Sequence, residues 1–247
     1  MLLRSHCTRW LALFLFSSSV LAASPEGVVA VSHPAAAAAG ARMLAAGGNA
    51  IDAAAAVQFA LNVVEPQSSG IGGGGFMLIH LAKTNETFIV DSRERAPARA
   101  SADQFAPAGL PMPFPLASTS GLAVGVPGTL RGVDTALKRW GTKKLADTLA
   151  PAIELAERGF RVNRFLAADI ANDHGRTHIH PETAAIFHPG GVPLAEGDWL
   201  VQPDLAKTLK RIAAGGPVPS IEARSRARSS RRSSAPAANS AQPARAA

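Results

Sequence analysis

Five of the six residues from Gly70 to Gly75 are glycine. A stretch so poor in side chains cannot hold regular structure cheaply, so the chain must break into a loop there. Upstream, the apolar side chains Ile51, Ala54, Ala55, Val57, Phe59, Leu61 and Val64 surround a predicted helix, Ala50 to Val64, on nearly every side. A helix apolar all round is a buried one. Asn49 with Asp52 three residues later gives it a capping-box start, and the pattern places it against a sheet. Downstream, Phe76 to Leu81 and Thr87 to Val90 read as strands joined by a hairpin turn at Lys83-Thr84-Asn85-Glu86.

The same logic extends along the chain. Gly27 to Ser32 is a short β-branched run and reads as a buried strand. His33-Pro34 opens a helix that stops at Gly47-Gly48. The stretch Ser101 to Leu122 is rich in Pro and Gly and is expected to wrap the surface. Helical spacing returns with Leu130, Val133, Leu137 and Trp140, and again with Leu145, Leu149, Ile153 and Ala156. Asn163 is a cap for a helix holding Leu166 and Ile170, and Asp204 a cap for one holding Leu205, Leu209 and Ile212. Strand, helices, hairpin and then helices again make an α+β or layered α/β domain.

The net charge of +7 over 247 residues points to a polyanion partner only until it is located. Residues 1–23 carry Arg4 and Arg9 and no acid, and residues 218–247 carry six Arg against Glu222 alone. That leaves 17 basic and 17 acidic side chains between, so the body is neutral and nucleic-acid binding loses its support. Residues 1–23 have the layout of a secretory signal, with two arginines, an apolar stretch from Trp10, and small residues at Val20-Leu21-Ala22 for cleavage. The run is too short to span a bilayer comfortably, although an uncleaved anchor is the rival reading. Cys7, the one cysteine, would leave with the signal. A periplasmic or secreted location is the expectation. Residues 24–217 form the expected domain, and residues 218–247, dominated by Arg, Ser, Ala and Pro, have nothing with which to build a core.

Several residues invite chemistry. Gly70, Gly72 and Gly75 match the spacing of a dinucleotide loop, but that loop must follow a strand and open a helix, and here the order is reversed. The better reading is a bare backbone that lets another segment or a substrate approach closely. His174, His178, His180 and His188 suggest a metal, yet Gly175 and Pro181 break any helix that would align them, so they read as solvated loop histidines. No metal or cofactor is implied. Arg93, leaving a strand, has a planar fork suited to a carboxylate, while a surface ion pair with Glu94 is the simpler account.

The segments Gly47 to Ala54, Glu65 to Met77, Arg93-Glu94 with Ala96-Pro97, Val126-Pro127-Gly128, and Pro151-Ala152-Ile153 with Ala156 and Gly159-Phe160 resemble the large subunit of γ-glutamyltranspeptidases, from about Gly27 to Pro217. The resemblance implies part of an N-terminal-nucleophile hydrolase, an αββα sandwich made as a precursor that cuts itself into large and small subunits. In that family the new N-terminal Thr of the small subunit attacks the γ-glutamyl amide of glutathione, its own amine acting as base. Water or an amino acid then takes the acyl group. Arg93 matches the arginine that binds the substrate's α-carboxylate. No catalytic nucleophile is expected in this chain. The resemblance stops at Val218, which leads to the expectation of a large subunit truncated by an out-of-frame tail and inactive without its small subunit. Cephalosporin acylases share the pattern and offer a second substrate class. Outside catalysis, a γ-glutamyl-binding protein and a basic-tail interaction protein are the alternatives.

Overall fold

The computed structural model describes residues 27–216. The secretory signal, Cys7 and the arginine-rich tail lie outside the described residues. Helix α1 (Pro34–Ala45) begins as its sequence predicts: Pro34 occupies the first turn, and His33 Nδ1 accepts the Ala35 N–H at 3.1 Å. It ends where Gly47 takes the left-handed conformation (φ +75°) and the Gly48 N–H reaches back to the Met43 carbonyl. Helix α2 (Ala50–Val64) follows with both halves of its capping box formed.

Helix α2 is buried, but not on a sheet. Its main neighbours are α1 and helix α5 (Leu145–Arg158). Ala36 and Ala39 of α1 meet Ala53, Ala56 and Ala60 of α2, so small side chains let two helices approach where the pattern had suggested a sheet. On its other side Phe59, Val63 and Val64 join Leu130, Leu149, Leu166, Leu200, Leu209 and Ile212 in the main core. Each large side chain so buried contributes about 1.5–3 kcal/mol, and helices supply nearly all of them.

Strands β1 (Phe76–Leu81) and β2 (Glu86–Asp91) pair antiparallel, Phe76 opposite Asp91 and Leu81 opposite Glu86. The turn is residues 82–85, with Asn85 at φ 55°, so β2 is one residue longer at each end than expected. Ile79 faces inward, and Phe88 stacks 5.0 Å from Trp140. Phe76, Leu78 and Ile89 point the other way and are about two-thirds exposed.

The remaining elements are helical except for one small ladder. Helix α3 (Phe114–Thr119) lies in the Pro- and Gly-rich stretch and buries nothing, as a surface wrap should. Helix α4 (Thr129–Trp140) and α5 follow the predicted spacing. Strand β3 (Phe160–Arg161) pairs with β4 (Trp199–Leu200), which periodicity did not reveal because two residues carry no period. Between them run helices α6 (Arg164–Asn172), α7 (His174–Thr177) and α8 (Pro181–Phe187). Helix α9 (Pro203–Gly215) closes the core.

Three expectations need correction. Gly27 to Ser32 forms no ladder with any described strand, and Val28 is 95% exposed. Asp204 does not cap α9; Gln202 holds that position, and its side chain instead donates to the Val63 carbonyl at 2.7 Å. The histidines are not simply solvated, as described below. Asn163 does cap α6, accepting the Leu166 N–H at 2.9 Å. Asn163→Ala should therefore lower unfolding free energy by about 1 kcal/mol in denaturant titrations, and an unchanged midpoint would deny the cap any role.

Candidate functional site

The glycine loop is fastened at both ends. At its start, Gln58 and Asn62, polar residues in the second half of α2, meet Ser69: the Ser69 hydroxyl donates to Asn62 Oδ1 at 2.6 Å and Gln58 Nε2 donates to Ser69 Oγ at 3.0 Å. Further on, the Gly73 carbonyl accepts the N–H groups of Gly128 and Thr129 at 2.8 and 3.0 Å, which ties the loop to the head of α4. Gly75 then exchanges backbone hydrogen bonds with Ser92, continuing the hairpin ladder beyond Asp91.

Ser92 is gripped from three sides. A Cβ on Gly74 would lie 2.4 Å from the Ser92 carbonyl oxygen, one on Gly128 2.0 Å from the same atom, and one on Gly132 2.4 Å from Ser92 Cβ. Its hydroxyl donates to the Gly75 carbonyl at 2.9 Å. The bare backbone therefore serves close approach, and the segment that approaches is Ser92 to Glu94. Helical periodicity does not single out Gly132; the signal the sequence carries for it is a glycine inside a helical pattern.

Arg93 follows at once. Its N–H donates to Asp91 Oδ1 at 3.0 Å, and the next residues are held by a bridge between Arg95 and Val126. The backbone is thus fixed on both sides while the side chain is 58% exposed. Its Nε lies 3.5 Å from Glu94 Oε2, the ion pair anticipated from sequence, and its guanidinium donates no hydrogen bond within the described residues. Glu94 Oε2 is buried and receives no hydrogen bond. An arginine fork on a rigid turn, only loosely engaged by one carboxylate, can accept a second carboxylate bidentately at little entropic cost.

Of the other candidates, His174, His178 and His188 come together and His180 does not join them. His174 and His188 approach Nδ1 to Nδ1 at 3.2 Å, His174 stacks on His178, and His188 is buried. Helix α7 includes Gly175, so that glycine does not prevent a turn from forming; α8 begins at Pro181. Among the described residues no group of three or more His, Cys, Asp or Glu side chains is arranged to hold a metal ion, and no helix is long and apolar enough to cross a membrane.

A helical layer over one hairpin, with a glycine-clamped arginine turn at the hairpin's end, makes a partial α+β fold, consistent with part of an N-terminal-nucleophile hydrolase. The chain belongs to the γ-glutamyltranspeptidase family: the family profile described as gamma-glutamyltranspeptidase matches residues 36–220. It is 51% identical over 192 residues to a glutathione hydrolase proenzyme of Bacillus subtilis strain 168, covering 77% of this chain and 32% of that protein. It is 44% identical over 202 residues to the acylase ACY 1 proenzyme of Pseudomonas sp. strain SE83, covering 79% and 36%. The crystal structure of Helicobacter pylori gamma-glutamyltranspeptidase superposes with a TM-score of 0.74 at 43% identity, over 77% of this chain and 54% of that one. The chain spans about a third of the length of the curated relatives it matches.

Proposed function

We propose that this chain supplies the large-subunit half of an enzyme that transfers or hydrolyses the γ-glutamyl group of glutathione or a related compound. In this reading Arg93 binds the substrate's α-carboxylate. The observation that carries it is the clamped turn: glycines 74, 128 and 132 fix Ser92, and the next side chain, paired loosely with Glu94, donates no hydrogen bond among the described residues. A positively charged fork carried on a fixed backbone leaves only its own side chain to be ordered when it engages the carboxylate and orients the γ-amide carbonyl. It does not by itself cleave an amide, which needs a nucleophile and donors for the developing oxyanion. Those come from the small subunit, a proposal supported by relatives described as proenzymes and by the uncovered apolar face of Phe76, Leu78 and Ile89, which a second half would bury. The signal read in residues 1–23 supports a periplasmic or secreted location.

The test uses a γ-glutamyl anilide. This chain alone is expected to release no chromophore and to show no self-cleavage on a denaturing gel. Assembled with the separately produced small-subunit portion of a relative, it should turn the anilide over, and Arg93→Ala should lower kcat/KM about 10²-fold, the cost of truncating one partner of a desolvated charge pair. Turnover by this chain alone, or an unchanged kcat/KM in the assembled Arg93→Ala enzyme, defeats the proposal. The acylase relative, together with the likeness to a solved cephalosporin acylase of Bacillus halodurans, favours a second reading, an amidohydrolase for cephalosporin-type side chains. A preference for such an amide over the γ-glutamyl anilide in the same assembled enzyme would select it.

A further inference from the structure

We propose that His174, His178 and His188 form a proton-operated latch that holds α7 against α8 at neutral pH and releases it on mild acidification. The Thr177 hydroxyl donates to the Asp173 carbonyl at 2.9 Å, as a threonine at the fourth position of a helical turn does. With its proton spent, Thr177 Oγ1 accepts from His188 Nε2 at 2.6 Å. A neutral imidazole has one donor and one acceptor, so His188 Nδ1 must accept, and its partner at 3.2 Å, His174 Nδ1, must donate. His178 Nδ1 in turn donates to the His174 carbonyl at 2.5 Å. With His188 neutral, these bonds fix its tautomer and the donor role of His174 Nδ1.

A proton added to His188 Nδ1 would point at the N–H of His174, and the bond between the two rings is lost unless His174 moves its own proton to Nε2. The ring is 2% exposed, so water cannot solvate the new charge in place. The stacked His174 and His178 rings, centroids 4.6 Å apart, oppose a second cation as well. The titratable groups on the elements packed around the cluster are Arg164, Asp169 and Asp173 of α6 and its end, Arg176 of α7, and His180 and Glu182 at the head of α8. Asp173 is engaged by Arg176, whose Nη2 lies 2.5 Å from Asp173 Oδ2, and no carboxylate hydrogen-bonds to any of the three rings. Nothing therefore compensates a histidinium there. Burial, then the neighbouring His174 and His178, push His188 below its usual value.

The sign follows. With a folded value below the unfolded one, near 6.5, the latch contributes fully above about pH 6.5 and is lost as pH falls through the folded value. What opens is the end of α8, since His188 is its C-terminal cap and leads directly into Pro189-Gly190-Gly191. Arg176 Nη1 also reaches Ser118 Oγ at 3.4 Å, so release of α7 would loosen the surface stretch around α3.

Hydrogen exchange followed by mass spectrometry on the full chain, corrected for intrinsic rates, reads the latch directly. Peptides covering 174–191 should lose about tenfold in protection for each pH unit by which His188 is depressed, while α2 stays protected. His33, whose value burial also lowers against the opposing pull of Glu65, reports in separate α1 peptides. His188→Gln and His174→Gln should each abolish most of the pH dependence in 174–191, and His180→Gln should leave it intact. If His188→Gln opens the segment at every pH, His174→Gln decides, because it leaves the His188 to Thr177 bond in place. Protection in 174–191 that ignores pH between 7.5 and 5.5 overturns the proposal. So does a dependence that survives His174→Gln, or protection gained on adding Zn²⁺ at pH 7.5, which would assign these nitrogens to a metal.

Discussion

Asp52→Ala is expected to cost about 4 kcal/mol of unfolding free energy, measured by denaturant titration, and to leave little folded protein at elevated temperature. The carboxylate is fully buried at the start of α2 and satisfies four separate donors. Asn49 N–H reaches Oδ2 at 2.8 Å, closing the capping box. From the loop between α4 and α5, the Thr142 hydroxyl reaches Oδ2 at 2.7 Å, while Thr142 N–H and Lys143 N–H each reach Oδ1 at 2.9 Å. Alanine would leave all of these without their acceptor; Asn49 and Lys143 are half-buried, so water replaces the lost bonds only in part, while the exposed Thr142 regains water more readily. Asp52→Asn should cost less, because one oxygen still accepts, although its amide would face an N–H donor. Burial alone would raise the carboxyl's pKa; the bonds from Thr142, Lys143 and Asn49 outweigh it and hold it below the usual carboxylate range. Its contribution is therefore present above the unfolded value near 3.9 and disappears as pH falls through the folded one. Asp52→Asn should flatten the acid limb of the stability curve below about pH 4. An alanine variant within 1 kcal/mol of the parent would show that the loop finds other partners.

Gly128→Ala should destabilise by about 3 kcal/mol or prevent folding, and it should do so through the candidate site. The added methyl would sit 2.0 Å from the Ser92 carbonyl oxygen and 2.8 Å from its carbon, both backbone atoms that no rotamer change can move. Gly128 also donates to Gly73, so a shift there pulls on the glycine loop and on the first turn of α4 together. In the assembled enzyme the surviving folded fraction should show a raised KM for the γ-glutamyl anilide, because Arg93 is displaced with the turn that carries it. Gly132→Ala gives a graded comparison. Its methyl would meet the Ser92 side chain, so pairing it with Ser92→Gly should recover stability, whereas no change at Ser92 short of moving the backbone can rescue Gly128→Ala. A Gly128→Ala protein with unchanged denaturant midpoint and KM would remove the clamp from the account of the site.

Much of the fold was legible because its signals are local. The capping box at Asn49 and Asp52, the glycine stop after α1, the Asn163 cap and the hairpin with its four-residue turn each depend on residues within a few positions of one another. Arg93 was singled out for the same reason, by a residue type at a strand end. The ion pair with Glu94 exists there, engaging only Nε and at 3.5 Å. Where the reading went astray, the missing information lay elsewhere in the chain. Gly27 to Ser32 has the composition of a strand, but a strand is defined by its partner, and none is present among the described residues. Asp204 has the chemistry of a cap, yet Gln202 takes the position because its side chain is drawn to Val63, 139 residues away in sequence.

The amino-acid sequence by itself determined where the long helices from α1 to α6 run, that α2 is buried, where the backbone must be bare, and the family to which the chain belongs. Tertiary structure alone decided what those features are for. It brought Thr142 and Lys143 to Asp52 across 90 residues, closed three glycines from two segments around Ser92, and turned four scattered histidines into a cluster of three and one outlier. Periodicity and capping report hydrogen bonds made within a turn or two. Contacts that require a long loop to close leave no trace at either end until packing selects them.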